Sequence, residues 1–273
     1  MKIKYIMVTY NKRLEDCATL AHAQDLDLYI YDNSIDQEIY KHNLKMSKTH
    51  NNVTYLGTGE NIGLSKAYNQ VIDAIKTIDP DTDYVIMLDD DTHLDPSYME
   101  CVSKLPQPSN VIYTPFMTTN GKKVNPRYVN EYFVIELFGI LFYTTKEKVK
   151  KLEGSKHLFA INSAMIIPFK IFNDFHYTEQ LFLDCVDDDF CRYLYQHNYH
   201  IEILPVDIEH GFHMREINGA SYEQLEWRVK NRLKDIKVYN QGRPINYFIT
   251  KICICFQYTI CTKKLKFLTL IFK

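Results

Sequence analysis

Several things are missing from this chain, and each absence narrows its class. No apolar run approaches the ~20 residues of a membrane-spanning helix, so no segment is expected to cross a bilayer. No CxxC pair occurs among Cys17, Cys101, Cys185, Cys191, Cys253, Cys255 and Cys261, and their number is odd. That argues against a zinc ribbon or a disulfide scaffold and reads as reduced thiols in a cytosolic protein. Neither sign of charge dominates. There are 32 basic and 34 acidic residues, net −2, which offers little to a nucleic acid. The opening MKIKYIMVTYN has too short an apolar stretch for a secretory signal and no small-residue cleavage site. It reads as a strand entering a polar turn. Low-complexity stretches and internal repeats are also missing.

What is present is enough apolar material, 46% of 273 residues, for one large domain or two small ones. One further absence is local. From Arg243 onward there are six basic residues and no acid, so the first 242 carry 26 basic against 34 acidic. An acidic body is followed by a basic tail.

Strand-like and helix-like segments alternate over the first hundred residues. Strands are expected at 3–8, 26–31, 53–56 and 84–88, and helices at 13–24 and 64–78. The second helix is amphipathic, with Ala67, Val71, Ala74, Ile75 and Ile78 on one side. Repeated βα units imply a parallel, right-handed, doubly wound sheet. Beyond residue 105 the pattern is less regular. Strands are expected at 111–115, 164–167 and 201–204 and helices at 182–195 and 221–238, the last with Ser221 and Gln224 as a capping box.

The chemistry-bearing residues fall at strand ends. The apolar run at 84–88 stops abruptly at Asp89, Asp90 and Asp91. Three adjacent carboxylates repel one another unless a cation neutralises them, and one or two such groups with substrate phosphates suit Mg²⁺ or Mn²⁺. A solvated turn would look the same. The strand at 3–8 ends in Thr9, Tyr10 and Asn11, and that at 26–31 in Asp32, Asn33 and Ser34. An acid at such a place can accept hydrogen bonds from a nucleoside, although Asp-Asn-Ser is also an ordinary turn. Asn61-Ile62-Gly63 precedes the helix that carries Lys66, and a helix N-terminus favours anions. It is not a P-loop. Asp184, Asp187, Asp188 and Asp189 cluster in LFLDCVDDDF. Clustered acids raise one another's pKa and can poise a general base; acids at a helix start also simply offset its dipole. His210 and His213 are either ligands or a surface pair.

Taken in order, Val8-Thr9-Tyr10-Asn11, Asp32-Asn33-Ser34, Asn61-Ile62-Gly63, Asp89-Asp90-Asp91, Phe182-Leu183-Asp184-Cys185-Val186-Asp187 and His210 resemble the family 2 glycosyltransferases of GT-A fold. Within that family the pattern looks most like the bacterial rhamnosyltransferase-like branch. The resemblance spans about residues 3–215. It implies an α/β GT-A domain, with a mostly parallel central sheet flanked by helices, over 1–218. About 1–104 would bind nucleotide sugar and about 105–218 the acceptor, with a C-terminal helical extension at 219–273. It implies an inverting, metal-dependent transfer from a nucleoside diphosphate sugar to a capsular, O-antigen or cell-wall polysaccharide precursor. The leading donor is dTDP-rhamnose, with UDP-hexose or UDP-galactofuranose as alternatives.

By the same resemblance Asp187 is the general base and Asp189 its supporting acid. Thr9, Tyr10, Asn11, Asp32, Asn33, Asn61, Gly63, Lys66, Asp89 and Asp90 would bind the nucleotide sugar. Asp91, with Asp89 and His210, would hold Mn²⁺ or Mg²⁺. Two departures stand out: Arg192 directly follows Cys191, one place early, and the Ser-Gly of the acceptor region reads Ser163-Ala164. The first keeps a non-catalytic, membrane-associated nucleotide- or glycan-binding protein in view, and the second bears on acceptor recognition. A nucleotidylyltransferase is disfavoured, because no glycine follows the first strand.

The tail, 245–273, interleaves aromatics, aliphatics and lysines. This suits an interfacial helix on the anionic cytoplasmic face of a membrane. A helix completing the core or an oligomer interface is the alternative.

Overall fold

The computed structural model describes residues 1–22, 25–119, 122–128, 158–209 and 220–272. Its centre is an eight-stranded sheet built on β1 (Ile3–Thr9), β2 (Leu28–Asp32), β3 (Val53–Gly57) and β4 (Tyr84–Asp89). β5 (Val111–Thr119), β6 (Lys122–Asn125), β9 (Met165–Pro168) and β10 (His200–Glu209) complete it. A separate pair joins β7 (Arg127–Tyr128) to β8 (Leu158–Phe159). The order is β10-β5-β9-β4-β1-β2-β3, with β6 on β5. β3, β2, β1 and β4 run parallel, as their βα connections require. β9 enters antiparallel between β4 and β5.

The central strands are apolar on both sides because both faces are covered. Ile6, Val85 and Met87 face one cluster with Ala67, Val71 and Ile75 of α3 (Leu64–Ile78) and Phe190 and Leu194 of α5 (Val186–Gln196). Tyr5, Met7, Ile86 and Leu88 face the other, with Leu20 of α1 (Ala18–His22) and Tyr98 of α4 (Pro96–Ser103). A third cluster joins α6 (Tyr222–Tyr239) to α7 (Pro244–Thr262) and the 3-10 turns of Leu265–Phe272.

Four expectations are revised. The helix expected at 13–24 is a 3-10 turn, Leu14–Asp16, and then α1, because Cys17 between them is extended. α2 (Gln37–Ser47) was not foreseen; Asp36 caps it by accepting from the amides of Glu38 and Ile39. The helix expected from 182 starts only at Val186, after Cys185 in the left-handed region at φ 62°. The strand expected at 201–204 runs to Glu209, with a register break between Ile203 and Asp207 around Pro205, which has no N–H to give the ladder. The capping box at Ser221 and Gln224 forms as expected.

Candidate active site

Parallel register places the polar ends of three strands together. Thr9 pairs with Asp32, and Val8 with Asp89. β9 runs the other way, with Met165 opposite Met87, so 162–164 reaches the same edge. That edge is where open α/β sheets bind ligands.

The turns after β1 and β2 are laced together. The Asn11 side chain accepts from the amides of Ile35 and Asp36 at 3.0 Å each, while its own N–H donates to Ser34 Oγ at 2.8 Å. Asp32 is fully buried. Its carboxylate accepts from Ser34 N–H (2.8 Å), Asn43 Nδ2 (2.8 Å) and the Tyr55 hydroxyl (2.6 Å). Both oxygens thus serve the chain itself, and a nucleoside contact would require exchanging one of these bonds. Asn43 also donates to the Lys12 carbonyl and accepts from Leu14 N–H, which makes it the hub of this turn. Tyr10 is exposed at the end of β1.

Asn33 accepts from Ile62 N–H and Asn61 from Gly63 N–H, which fixes the approach to α3. Gly63 sits at φ +86°, and a Cβ there would lie 2.8 Å from the Phe182 ring and 3.0 Å from its carbonyl oxygen. Phe182, from another part of the chain, thus stands against Gly63 at the helix N-terminus that was expected to favour an anion. Leu64 N–H, at the head of α3, donates to the Phe182 carbonyl at 2.6 Å. Lys66 is exposed in the first turn.

The three acids after β4 divide. Asp90 is held by Lys12 Nζ at 2.9 Å and the Thr9 hydroxyl at 3.1 Å. Asp89 anchors the turn through its backbone, its N–H donating to Thr92 and its carbonyl accepting from Thr19. Asp89 and Asp91 are half-buried at the edge. Two hard carboxylates there fit a divalent cation whose remaining ligands are water and phosphate. Among the described residues no three His, Cys, Asp or Glu side chains gather to hold a metal unaided. His210 lies outside the described residues.

The second acid cluster divides more sharply. Asp184 is paired with Arg228, Asp188 with Arg127, and Asp189 accepts from the Thr178 hydroxyl at 2.7 Å. Among the described residues Asp187 has no cationic partner of its own. Enclosure by the protein, then the negative charges of Asp188 and Asp89, push its carboxyl up to about 7; Arg127 and the Asn162 N–H pull it back part of the way. A carboxylate balanced near neutrality can take a proton at physiological pH. The Asp89 charge at the end of β4 is thus near enough to Asp187 of α5 to be felt.

The residues that sequence reasoning missed are the ones that hold others in place. Asn43, Tyr55 and Arg127 carried no motif. Asp235 is buried in α6, and its carboxylate accepts from the amides of Phe182, Leu183 and Asp184 at 2.9, 2.9 and 2.8 Å. The displaced Arg192 has a place after all: it donates twice to the Tyr239 carbonyl and lies over the Tyr239 ring at 3.7 Å.

This geometry has relatives. GalNAc-T7, solved with UDP, GalNAc and Mn²⁺, superposes with a TM-score of 0.52 at 11% identity, over 99% of this chain and 55% of that one. TarS 1–349 of S. aureus gives 0.49 at 14% identity, over 97% of this chain and 83% of that one. No curated protein sequence matches. The family model for glycosyl transferase family 2 matches residues 5–175, from β1 past the edge where Thr9, Asp32 and Asp89 meet, and the chain therefore belongs to glycosyltransferase family 2, with a GT-A fold.

Proposed function

We propose that the protein transfers a sugar from a nucleoside diphosphate donor to a glycan hydroxyl with inversion, and that Asp187 is the base. The observation that carries this reading is the placement of Asp187. Among the described residues it alone of the four acids at the head of α5 has neither an ion pair nor a side-chain hydrogen bond, the Asn162 N–H being its backbone partner, and its carboxyl, near enough to Asp89 to feel that charge, is raised to about 7. In the proposed step the acceptor hydroxyl gives its proton to Asp187. Its oxygen bonds to the anomeric carbon as the bond from that carbon to the diphosphate breaks on the opposite face. The nucleoside diphosphate leaves, and Asp187 later returns the proton to water. Asp189, tied to Thr178, keeps the first turn of α5 in register beneath the base.

In this reading the donor lies over about 1–104 and the acceptor over about 105–218. The turns around Thr9, Tyr10, Asn11, Asp32 and Asn33 receive the nucleoside, with the exposed Tyr10 ring as a stacking surface. Asn61, Gly63 and Lys66 lie toward the diphosphate side. Asp91 and Asp89 would hold Mn²⁺ or Mg²⁺, which when bound stabilises the charge on the leaving diphosphate. The acceptor is proposed to be a surface-polysaccharide precursor. dTDP-rhamnose is the leading donor; the GalNAc-T7 likeness, with its bound UDP, supports a UDP-sugar as the second candidate.

No helix among the described residues is long and apolar enough to cross a membrane. α7 nonetheless exposes Ile245, Phe248, Phe256 and Ile260, spaced along one face, while Ile254, Cys255 and Tyr258 pack inward. Leu265 and Phe272 extend the exposed apolar surface, and from Arg243 onward the chain carries lysines and no acid, with Glu223 of α6 the acid that feels Lys264 and Lys266. We therefore propose peripheral attachment of this extension, 219–273, to an anionic membrane surface on the cytoplasmic side.

The test is thermal-shift binding against UDP, dTDP, GDP and their sugars with and without Mn²⁺, followed by transfer assays with Asp187→Asn. A metal-dependent shift with one nucleotide class and loss of transfer in a variant that still binds nucleotide are expected. Near-normal turnover of Asp187→Asn would remove Asp187 as base.

A further inference from the structure

α6 presents Arg228, Arg232, Asp235 and Tyr239 at i, i+4, i+7 and i+11, a single face of one helix. Every one of them reaches the acid motif or the helix that follows it. Arg228 grips Asp184 with two nitrogens, and Arg232 stands 3.6 Å from the same carboxylate. Asp235 takes three successive backbone N–H groups at 182–184. Tyr239 takes Arg192 of α5.

The segment so held has no regular structure of its own. It ends at Cys185 in a left-handed turn and leads within two residues to Asp187. Three successive part-buried N–H groups have no regular structure to pair them, and the protein serves all three with one carboxylate. On its other side the same segment supplies the Phe182 carbonyl that caps α3. A loop pinned from both sides is a device for holding position, more than a solvent-exposed connection needs.

We infer that Asp235 is a positioning residue for the transfer reaction: by binding the amides of Phe182, Leu183 and Asp184 it sets where α5 begins and so where the Asp187 carboxylate stands. This rests on the reading of Asp187 as base. It makes α6 part of the catalytic machinery, whereas the sequence boundary at 218/219 would have placed it outside. Asp235 touches no reacting atom; it acts through the loop.

The experiment compares the full-length protein with Asp235→Asn and Asp235→Ala. Asparagine keeps the volume but can serve only part of the three donors; alanine serves none. Amide hydrogen exchange over 182–184 is measured first, since it needs no substrate. Exchange is expected to speed up about tenfold or more in the alanine variant and less in asparagine. Steady-state kinetics follow, with kcat expected to fall toward a hundredfold in alanine, as about 1 Å of misplacement can cost. Asparagine should recover part of that loss, and nucleotide affinity should stay within about twofold in both variants on the same grounds. Unchanged exchange in the alanine variant overturns the inference. So does a kcat within about twofold of the parent, or a loss shared equally by nucleotide binding, since positioning of the base acts on turnover. If the parent itself transfers no sugar, the proposed activity fails, while exchange still decides whether Asp235 holds the loop.

Discussion

Replacing Asp187 by asparagine is expected to make the folded protein more stable at neutral pH while it abolishes transfer. The reason lies in proton linkage. The carboxyl is pushed up to about 7 in the folded protein from its ordinary value of 3.8, so between those values the folded state holds a proton that the unfolded chain has released. The stability this confers is fully present below about pH 3.8 and is lost as pH rises through about 7, when a charge must sit in an enclosed site beside Asp188 and Asp89. About three pKa units correspond to at most ~4 kcal/mol. Asp187 keeps partial contact with solvent, so about half of that is a sounder expectation. For a domain of this size ~2 kcal/mol is about 4–8 °C in Tm. Asparagine is neutral at every pH and of the same size. The two proteins should therefore melt close together near pH 4, and the variant should melt higher at pH 8. Scanning calorimetry across that range, without nucleotide or metal, measures the gap. Parallel Tm curves, or a variant that melts lower at pH 8, would refute the claim that Asp187 is held against its charge.

Transfer by the parent should rise about tenfold between pH 6 and its plateau above pH 8, following deprotonation of Asp187; a flat profile over that range would exclude it as base. Gly63→Ala forces a left-handed residue against the Phe182 backbone and should cost about 2–5 kcal/mol from strain and overpacking, read as a drop in the urea midpoint; a cost under about 1 kcal/mol would contradict the close approach. Asp91→Asn should remove the Mn²⁺-dependent part of the Tm shift given by nucleoside diphosphate, a part worth ~2.7 kcal/mol at a hundredfold excess over Kd, and a Mn²⁺-dependent shift of parental size would exclude Asp91 as a ligand. Phe248→Glu with Phe256→Glu should release the protein from acidic phospholipid vesicles in a flotation assay, and unchanged flotation would remove α7 as the membrane contact.

The first hundred residues of the fold were largely legible because their signals are local. Apolar runs at 3–8 and 84–88 that stop at polar residues mark buried parallel strands, and β1 and β4 extend each by only one residue. α3 has the expected bounds, since Ala67, Val71 and Ile75 recur at helical spacing. What failed depends on distant partners. β9 lies antiparallel between β4 and β5, which no local pattern announces. α2 is a polar helix whose few buried residues include Asn43 and Ser47, so its inner face carries no apolar stripe to read. Residues 182–184 resembled a helix start, yet Asp235, more than fifty positions along the chain, binds the amides there in an irregular conformation. The acids themselves were found by motif. Which of them is held by a side-chain partner was not readable, because Arg127, Arg228 and Thr178 sort them only in three dimensions.

The Phe182 carbonyl on the head of α3 has a consequence for how the molecule is assembled. α3 belongs to the part of the chain synthesised first, yet the oxygen that completes its first turn comes from a segment made much later. The family match ends at residue 175, so a fragment cut at that limit would carry α3 with its leading amide bare and Gly63 facing a gap. Closing so long a loop is slow relative to forming neighbouring contacts. The head of α3 and the acid motif should therefore become ordered in the same late event, each completing the other.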